Sequence, residues 1–177
     1  MADAKALVAR LADAVDRGQI GQAEAAHYLG KFLCRRLYCS RAAMWTIAPA
    51  GRGAAIVRVG GFDARADRPL VEPLSIAIEP GSDWLAELLA QGQVVSDDTL
   101  RDPRLRGLRL AHLADQRIGA LLHAALAYSG GRPPTLGFIA CEQLGAPRAW
   151  RAQDAQRLRE VARAVDARRA LRLAQAG

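Results

Sequence analysis

Apolar side chains recur along the chain with two different periods, and the switches between them mark out its elements. Across residues 2–16, Leu7, Leu11 and Val15 return every fourth position, a narrow stripe that predicts an amphipathic helix ending at Gly18. Residues 22–38 repeat that period with Ala25, Leu29, Phe32, Leu33 and Leu37, a wider face suited to lying on a sheet. Residues 41–47 and 54–62 then read as two strands joined by a turn over 49–53, an antiparallel hairpin. The polar stretch 63–73 holds two prolines and predicts a loop, and 74–78 predicts a further strand. Gly81-Ser82-Asp83 offers capping chemistry for a helix over 84–91, which Gly92 stops. A brief strand at 93–95 precedes a mixed segment, 97–115, with a helix near its end. The two most apolar strands, 118–128 and 135–144, are joined by a glycine- and proline-rich hairpin loop and belong at the centre. From 151 to 174 the helical period returns, with Leu158, Val161, Ala162 and Val165 on one face.

This order predicts an α+β layered domain. The antiparallel sheet carries the terminal helices on one face and the shorter middle helices and loops on the other.

Particular residue runs add a resemblance. Gly137-Phe138-Ile139-Ala140-Cys141-Glu142, followed by Pro147-Arg148-Ala149-Trp150-Arg151-Ala152-Gln153-Asp154, resembles the last strand, loop and closing helix of bacterial GAF domains, especially those at the front of sensor kinases and cyclic-dinucleotide enzymes. Upstream, Val94 to Arg104 resembles that family's strand, acidic turn and Asp-Pro-Arg entry to a helix, and Arg117 to Leu122 resembles its Gly-Ile-x-Ser-x-Leu strand. The resemblance spans residues 22–168 and implies a central antiparallel sheet of about six strands with a small-molecule pocket on the face away from the terminal helices. Domain organisation follows: 1–20 an N-terminal helix that extends the domain or dimerises it, and 21–177 a GAF-like domain that includes a C-terminal signalling helix.

Composition narrows the function. A length of 177 residues suits one well-buried core. No apolar run approaches a membrane span and the N-terminus lacks a signal-peptide layout, so the chain reads as cytoplasmic. The formal charge is +7, yet the positives are almost all arginines scattered along the chain. Lys5 and Lys31 are the lysines, and such a distribution makes no stripe for nucleic acid. Cys34, Cys39 and Cys141 form neither a disulfide framework nor a zinc spacing and read as reduced structural thiols.

Phosphate-loop, Gly-x-Ser-x-Gly and His-Glu-x-x-His signatures are absent from the sequence, which leaves the chain without a recognisable catalytic motif. Strand alternation puts His123 on one face with Leu121 and Ala125, and on neighbouring strands Phe138, Ala140, Glu142, Ala43 and Trp45 share that face. His123 and Glu142 make a candidate ligand-binding pair, the alternative for His123 being a core histidine satisfied by a backbone carbonyl. His112, with Arg109 nearby, is a second candidate lining residue favouring an anionic or hydrogen-bonding ligand, and Trp84 either roofs the pocket or packs. Among specialised members of the family, bilin-binding photoreceptors need a cysteine before the 118 strand, and 101–116 has none. The Asn-Lys-x-x-x-Phe-type signature of the cyclic-nucleotide binders is missing too, while Cys34 and Cys39 fall away from the loops that free methionine sulfoxide reductases of this fold use.

The resulting expectation is a non-catalytic sensory module that binds a small molecule and signals through its terminal helices to an output domain beyond these residues. The sequence names no cofactor. A small redox enzyme, a haem sensor using His112 or His123, and a pocketless dimerisation module are the alternatives. The unpartnered stripe Leu7, Leu11, Val15, with Leu171 and Ala174, predicts a homodimer through the first and last helices.

Overall fold

A computed structural model describes residues 2–127 and 136–171. Helices α1 (Ala2–Asp16) and α2 (Gln22–Leu37) lead into β1 (Arg41–Ala50) and β2 (Gly53–Asp63). The pair β3 (Arg68–Pro69) and β4 (Ser75–Ile78) follows, then α3 (Asp83–Gln91) and β5 (Gln93–Ser96). A 3₁₀ turn (Pro103–Leu105), one turn of α-helix, α4 (Arg106–Leu108), and a π-helical stretch (Arg109–Leu113) lead to β6 (Ile118–Ala127), β7 (Leu136–Leu144) and α5 (Ala152–Asp166). The strands make one antiparallel sheet in the order β3-β2-β1-β7-β6-β5, and β4 shares the outer edge of β2 with β3.

Local chemistry explains the boundaries. Gly51, at φ +56°, opens the two-residue turn between β1 and β2, the conformation that a tight hairpin asks of its first central residue. The Ser82 hydroxyl accepts from the Leu85 amide and Gly92 closes α3 in the left-handed region, as the sequence predicts. The expected connection 129–134 and the expected helix end through Ala174 lie outside the described residues.

Because β1, β6 and β7 are covered on both faces, alternate side chains enter two separate cores. On one side Leu122, Ala124, Leu126, Ile139 and Cys141 meet α2 and α5; on the other Leu121, Phe138, Ala140, Ala43 and Trp45 meet α3, β4 and the 105–113 segment. Leu29, Leu33 and Leu37 of α2 are fully buried, each contributing about 1.5–3 kcal/mol of transfer free energy. Glycines let α2 lie directly on the hairpin: a β-carbon on Gly30 would stand 2.7 Å from the Ala42 carbonyl oxygen, and one on Gly60 would stand 2.6 Å from that of Ala23.

Two expectations about the ends are corrected. The stripe on α1 is not without a partner. Ala4, Val8, Leu11 and Ala12 are buried in the helix-side core, with Leu7 and Val15 packed against its rim, so the argument for a homodimer from an uncovered stripe lapses. The closing helix does not run on out of the fold. α5 ends at Asp166, and a 3₁₀ turn (Arg169–Leu171) brings Leu171 back into the same core beside α1. Covering Leu171 outweighs continuing the helix because a turn costs little and an exposed leucine forgoes its burial. Among the described residues no helix is long and apolar enough to cross a membrane.

Two measurements test this packing. Leu11→Ala should lower the unfolding free energy of the chain by about 2–4 kcal/mol in urea titrations, whereas a helix serving only a second copy would leave a diluted monomer unchanged. Gly30→Ala should also destabilise. Helix propensity alone predicts a gain of about 1 kcal/mol, so a stabilised variant would contradict the close approach.

Candidate functional site

The sheet face opposite α2 and α5 carries an aromatic and histidine cluster. Trp45 of β1 and Phe138 of β7 are in register, and their rings stack at 6.0 Å with planes 4° apart. Trp84, in the first turn of α3, meets Phe138 edge-on at 5.3 Å, and His123 of β6 lies 5.0 Å from the same ring. His112, from the π-helical stretch, closes over Trp45 at 5.9 Å. The sequence-predicted residues Trp45, Trp84, His112, His123 and Phe138 thus come together, and all five are buried.

Packing leaves polar atoms unpaired. The Trp84 indole N–H donates to His123 Nδ1 at 3.2 Å, so the partner of this nitrogen is an indole rather than the backbone carbonyl expected for a core histidine. Burial, with a smaller contribution from the His112 charge, lowers the His123 pKa to about 3, and the ring is neutral at ordinary pH. With Nδ1 accepting, the proton sits on Nε2, which is buried and has no partner. Trp45 Nε1 and Arg58 Nε are buried donors in the same condition. His112 is lowered to about 4, first by burial and then by Arg58 and Arg41.

One end of the face is charged, which the sequence reading missed apart from Glu142. Arg58 stands opposite Trp45, next to a bulge in the β1–β2 pairing between Met44 and Trp45, and shares this face. Its guanidinium carbon stands 5.9 Å from the Trp45 ring centroid. Arg41, in register with Glu142, donates to Asp63 at 2.7 Å and to Gln116 at 2.9 Å. Strand parity could have found both arginines, since Arg41 alternates with Ala43 and Arg58 with Ile56.

Glu142 is buried on this face, and burial above all pushes its pKa up to about 7, with Arg41 and Arg58 opposing and Cys39 and Asp63 adding to the rise. The expected pair with His123 is not formed. His123 stands opposite Ala140, Glu142 opposite Leu121, and the charges acting on each come from other groups. Arg109 is also reassigned: its Nε and Nη2 donate to the carbonyls of Thr99 at 2.9 Å and Asp102 at 2.7 Å. It pins the 99–102 turn instead of facing a ligand, because those carbonyls have no strand partner and a guanidinium can bridge them.

Beside the cluster, a cleft of about 610 Å³ opens between the end of β4, the start of α3 and residues 103–111. Ile78 and Leu108 line it and belong to the same core as Trp45 and Phe138. Among the described residues no group of three His, Cys, Asp or Glu side chains is arranged to hold a metal ion.

No family model matches the chain and no curated protein matches its sequence. Solved structures do. The phycoerythrobilin-bound GAF domain of a cyanobacterial phytochrome superposes with a TM-score of 0.67 at 10% identity, covering 95% of each chain. A far-red cyanobacteriochrome photoreceptor gives 0.65 at 13%, over 89% of this chain and 91% of that one. A bacteriophytochrome from R. palustris gives 0.63 at 13%, over 92% of this chain and 35% of that one. At these identities the likeness is one of fold, and the chain has the GAF fold.

The buried carboxyl sets a pH dependence with a definite sign. With a folded pKa of about 7 against an ordinary 4.5, Glu142 binds its proton more tightly when folded, so its contribution is full below pH 4.5 and is lost as pH rises through 7. His112 and His123, lowered from 6.5 to about 4 and 3, act oppositely, their contributions full above pH 6.5 and lost on acidification. Glu142→Gln removes the first effect alone. Its stability relative to the parent should therefore climb between pH 4.5 and 7.5, by roughly 3 kcal/mol, in denaturant titrations. Parallel pH curves would show the carboxyl to be solvated.

Proposed function

We propose that this chain is a sensory module without catalytic chemistry of its own, binding a small molecule on the face that carries Trp45, Phe138 and His123. The observation that carries this reading is the set of buried donors there without acceptors, His123 Nε2, Trp45 Nε1 and Arg58 Nε. An unpaired buried donor costs about 1–3 kcal/mol. A ligand presenting carbonyl or carboxylate oxygens beside a flat apolar body would pair these donors and stack on the rings. Support also comes from the phycocyanobilin-bound and phycoerythrobilin-bound GAF domains that share the fold. Here the molecule would be held without a bond to sulfur, since all three cysteines lie in the helix-side core.

The same geometry supports a regulatory reading over an enzymatic one. An acid–base histidine has to titrate near working pH, and both histidines of the cluster are held far below it. Entry would run through the cleft beside Ile78 and Leu108, by displacement of the 103–113 segment. The signal would cross the sheet: His123 and Phe138 alternate with Leu122, Ala124 and Ile139, which pack beneath the helical layer, so a shift of β6 or β7 moves α5 with it. A cytoplasmic setting, with an output domain reading that layer, completes the proposal.

Mass spectrometry of molecules released from the purified protein, followed by thermal shift with the species found, tests the reading. Trp45→Phe keeps a ring and deletes the N–H, so affinity should fall about tenfold, equivalent to roughly 1.4 kcal/mol, with the fold retained. Unchanged affinity in both Trp45→Phe and His123→Ala, or no bound species and no shift across a metabolite panel, would leave a pocketless scaffold as the better account. An intense Soret band would point to haem.

A further inference from the structure

Two thiols five positions apart, Cys34 and Cys39, share a core with the distant Cys141 on the other side of the sheet. Cys34 lies in the last turn of α2, its Sγ donating to the Phe62 carbonyl at 3.8 Å. Cys39 follows Tyr38, which takes the left-handed conformation at φ 53° and ends the helix. Cys141 sits in β7, paired with Ala42. The Cys39 thiol donates to the Arg41 carbonyl at 3.4 Å, and all three thiols are buried in one core. Charges on several elements act on the cluster: Arg148 in the loop before α5, Asp63 at the end of β2 and, from the opposite face of β7, Glu142. The Arg148 guanidinium holds the turn itself, donating to the Tyr38 carbonyl at 2.7 Å and to that of Leu37.

We propose that Cys39 is a redox-reactive nucleophile and Cys34 its resolving partner, so that the end of α2 is a thiol–disulfide switch answering to small disulfides of the oxidised-glutathione class. Geometry selects this pair. The Cys39 amide donates directly to the Cys34 carbonyl at 3.2 Å, a contact that brings the two α-carbons within the span of a disulfide. Cys141 is fixed in the middle of a sheet covered on both faces, whereas Cys34 lies in the last turn of a helix, beside the turn that carries Cys39. The neighbouring Tyr38 is 85% exposed, so the way in from solvent is one residue long.

The surroundings favour Cys39 as the attacking sulfur. Two adjacent S–H groups, helped by Arg148, lower its pKa, while Cys34 and Cys141 are raised, Cys34 chiefly by its bond to Cys39 and Cys141 chiefly by burial. The thiolate is the reactive form. After losing its proton to solvent, Cys39 attacks one sulfur of RS–SR, forming Cys39–S–S–R and releasing RS⁻. The Cys34 thiol then loses its proton and attacks the Cys39 sulfur, expelling the second RS⁻. Two protein thiols are oxidised to one disulfide, and RS–SR is reduced to two RSH once the released thiolates take up the two protons.

The switch would act on the sheet. Cys39 precedes Ser40, whose amide donates to the Glu142 carbonyl at 2.9 Å and whose hydroxyl accepts from the Leu144 amide at 3.1 Å. A disulfide at the helix end therefore pulls on the entry to β1 and on the strand that carries Glu142.

The test uses the full chain, reduced and then exposed to oxidised glutathione at neutral pH, acid-quenched, alkylated and mapped by peptide mass. The wild type and Cys141→Ala should each lose two alkylatable thiols to an intrachain Cys34–Cys39 disulfide. Cys34→Ser should stop at a glutathione adduct on Cys39, and Cys39→Ser should form neither product. Without oxidant, Cys39 should alkylate first in the folded wild type, a readout that needs no variant to fold. Three unreacted thiols, a Cys39–Cys141 or interchain disulfide, or first alkylation at Cys34 or Cys141 would overturn the proposal.

Discussion

The pairing of β7 between β1 and β6 is the constraint on which the rest depends. A central antiparallel strand covered on both faces must send successive side chains into different cores. In β7 this separates Phe138, Ala140 and Glu142 from Ile139 and Cys141. A register slip of one residue would carry Glu142 beneath the helices and Cys141 among the aromatic rings, exchanging the chemistry of the two layers. The register is held along its length by β1 on one side and β6 on the other, from Arg41 opposite Glu142 to Ala127 opposite Leu136.

The two layers differ in how they use burial. Beneath the helices the core is mainly aliphatic, with its thiols, Phe62 and Trp150 among the leucines and alanines, and α2 is drawn close enough that glycines are required at the contact. The opposite core is rich in aromatic rings and holds two neutral histidines, an indole donor without an acceptor and a carboxyl that titrates near neutrality. Such groups make a core less stable than an apolar one of equal volume. The two neutral histidines and the carboxyl lie together on this face, under a cover of short 3₁₀, α and π turns instead of a long helix. π-helical stretches of this kind frequently mark functional positions.

The thiols and the aromatic cluster are separate in space yet share a strand. Glu142 feels Cys39 across the sheet edge, since the negative charge of one raises the pKa of the other. The 38–40 turn, the start of β1 and the end of β7 are tied together by Ser40 and Arg148. Chemistry in the helical layer and occupancy of the opposite face would thus act on the same short segment of backbone.

Local pattern determined much of this protein. The order of elements, the Ser82 cap, the Gly92 stop and the sharing of one face by Trp45, His123, Phe138 and Glu142 follow from periodicity and turn chemistry, which involve residues close in sequence. What only the tertiary structure decided involves partners far apart. The Trp84–His123 bond joins residues 39 positions apart, and the bond from Gln93 to the Ala155 carbonyl joins residues 62 apart. Arg109, read as facing a ligand, turns back to the carbonyls of Thr99 and Asp102 because those groups lack a strand partner. The stripe on α1, read as a dimer seam, is covered by α2, α5 and the turn at Leu171. A periodic pattern states which side of an element is apolar; which surface covers that side is settled only when the whole chain competes for it, and burial within the chain needs no second molecule to be ordered.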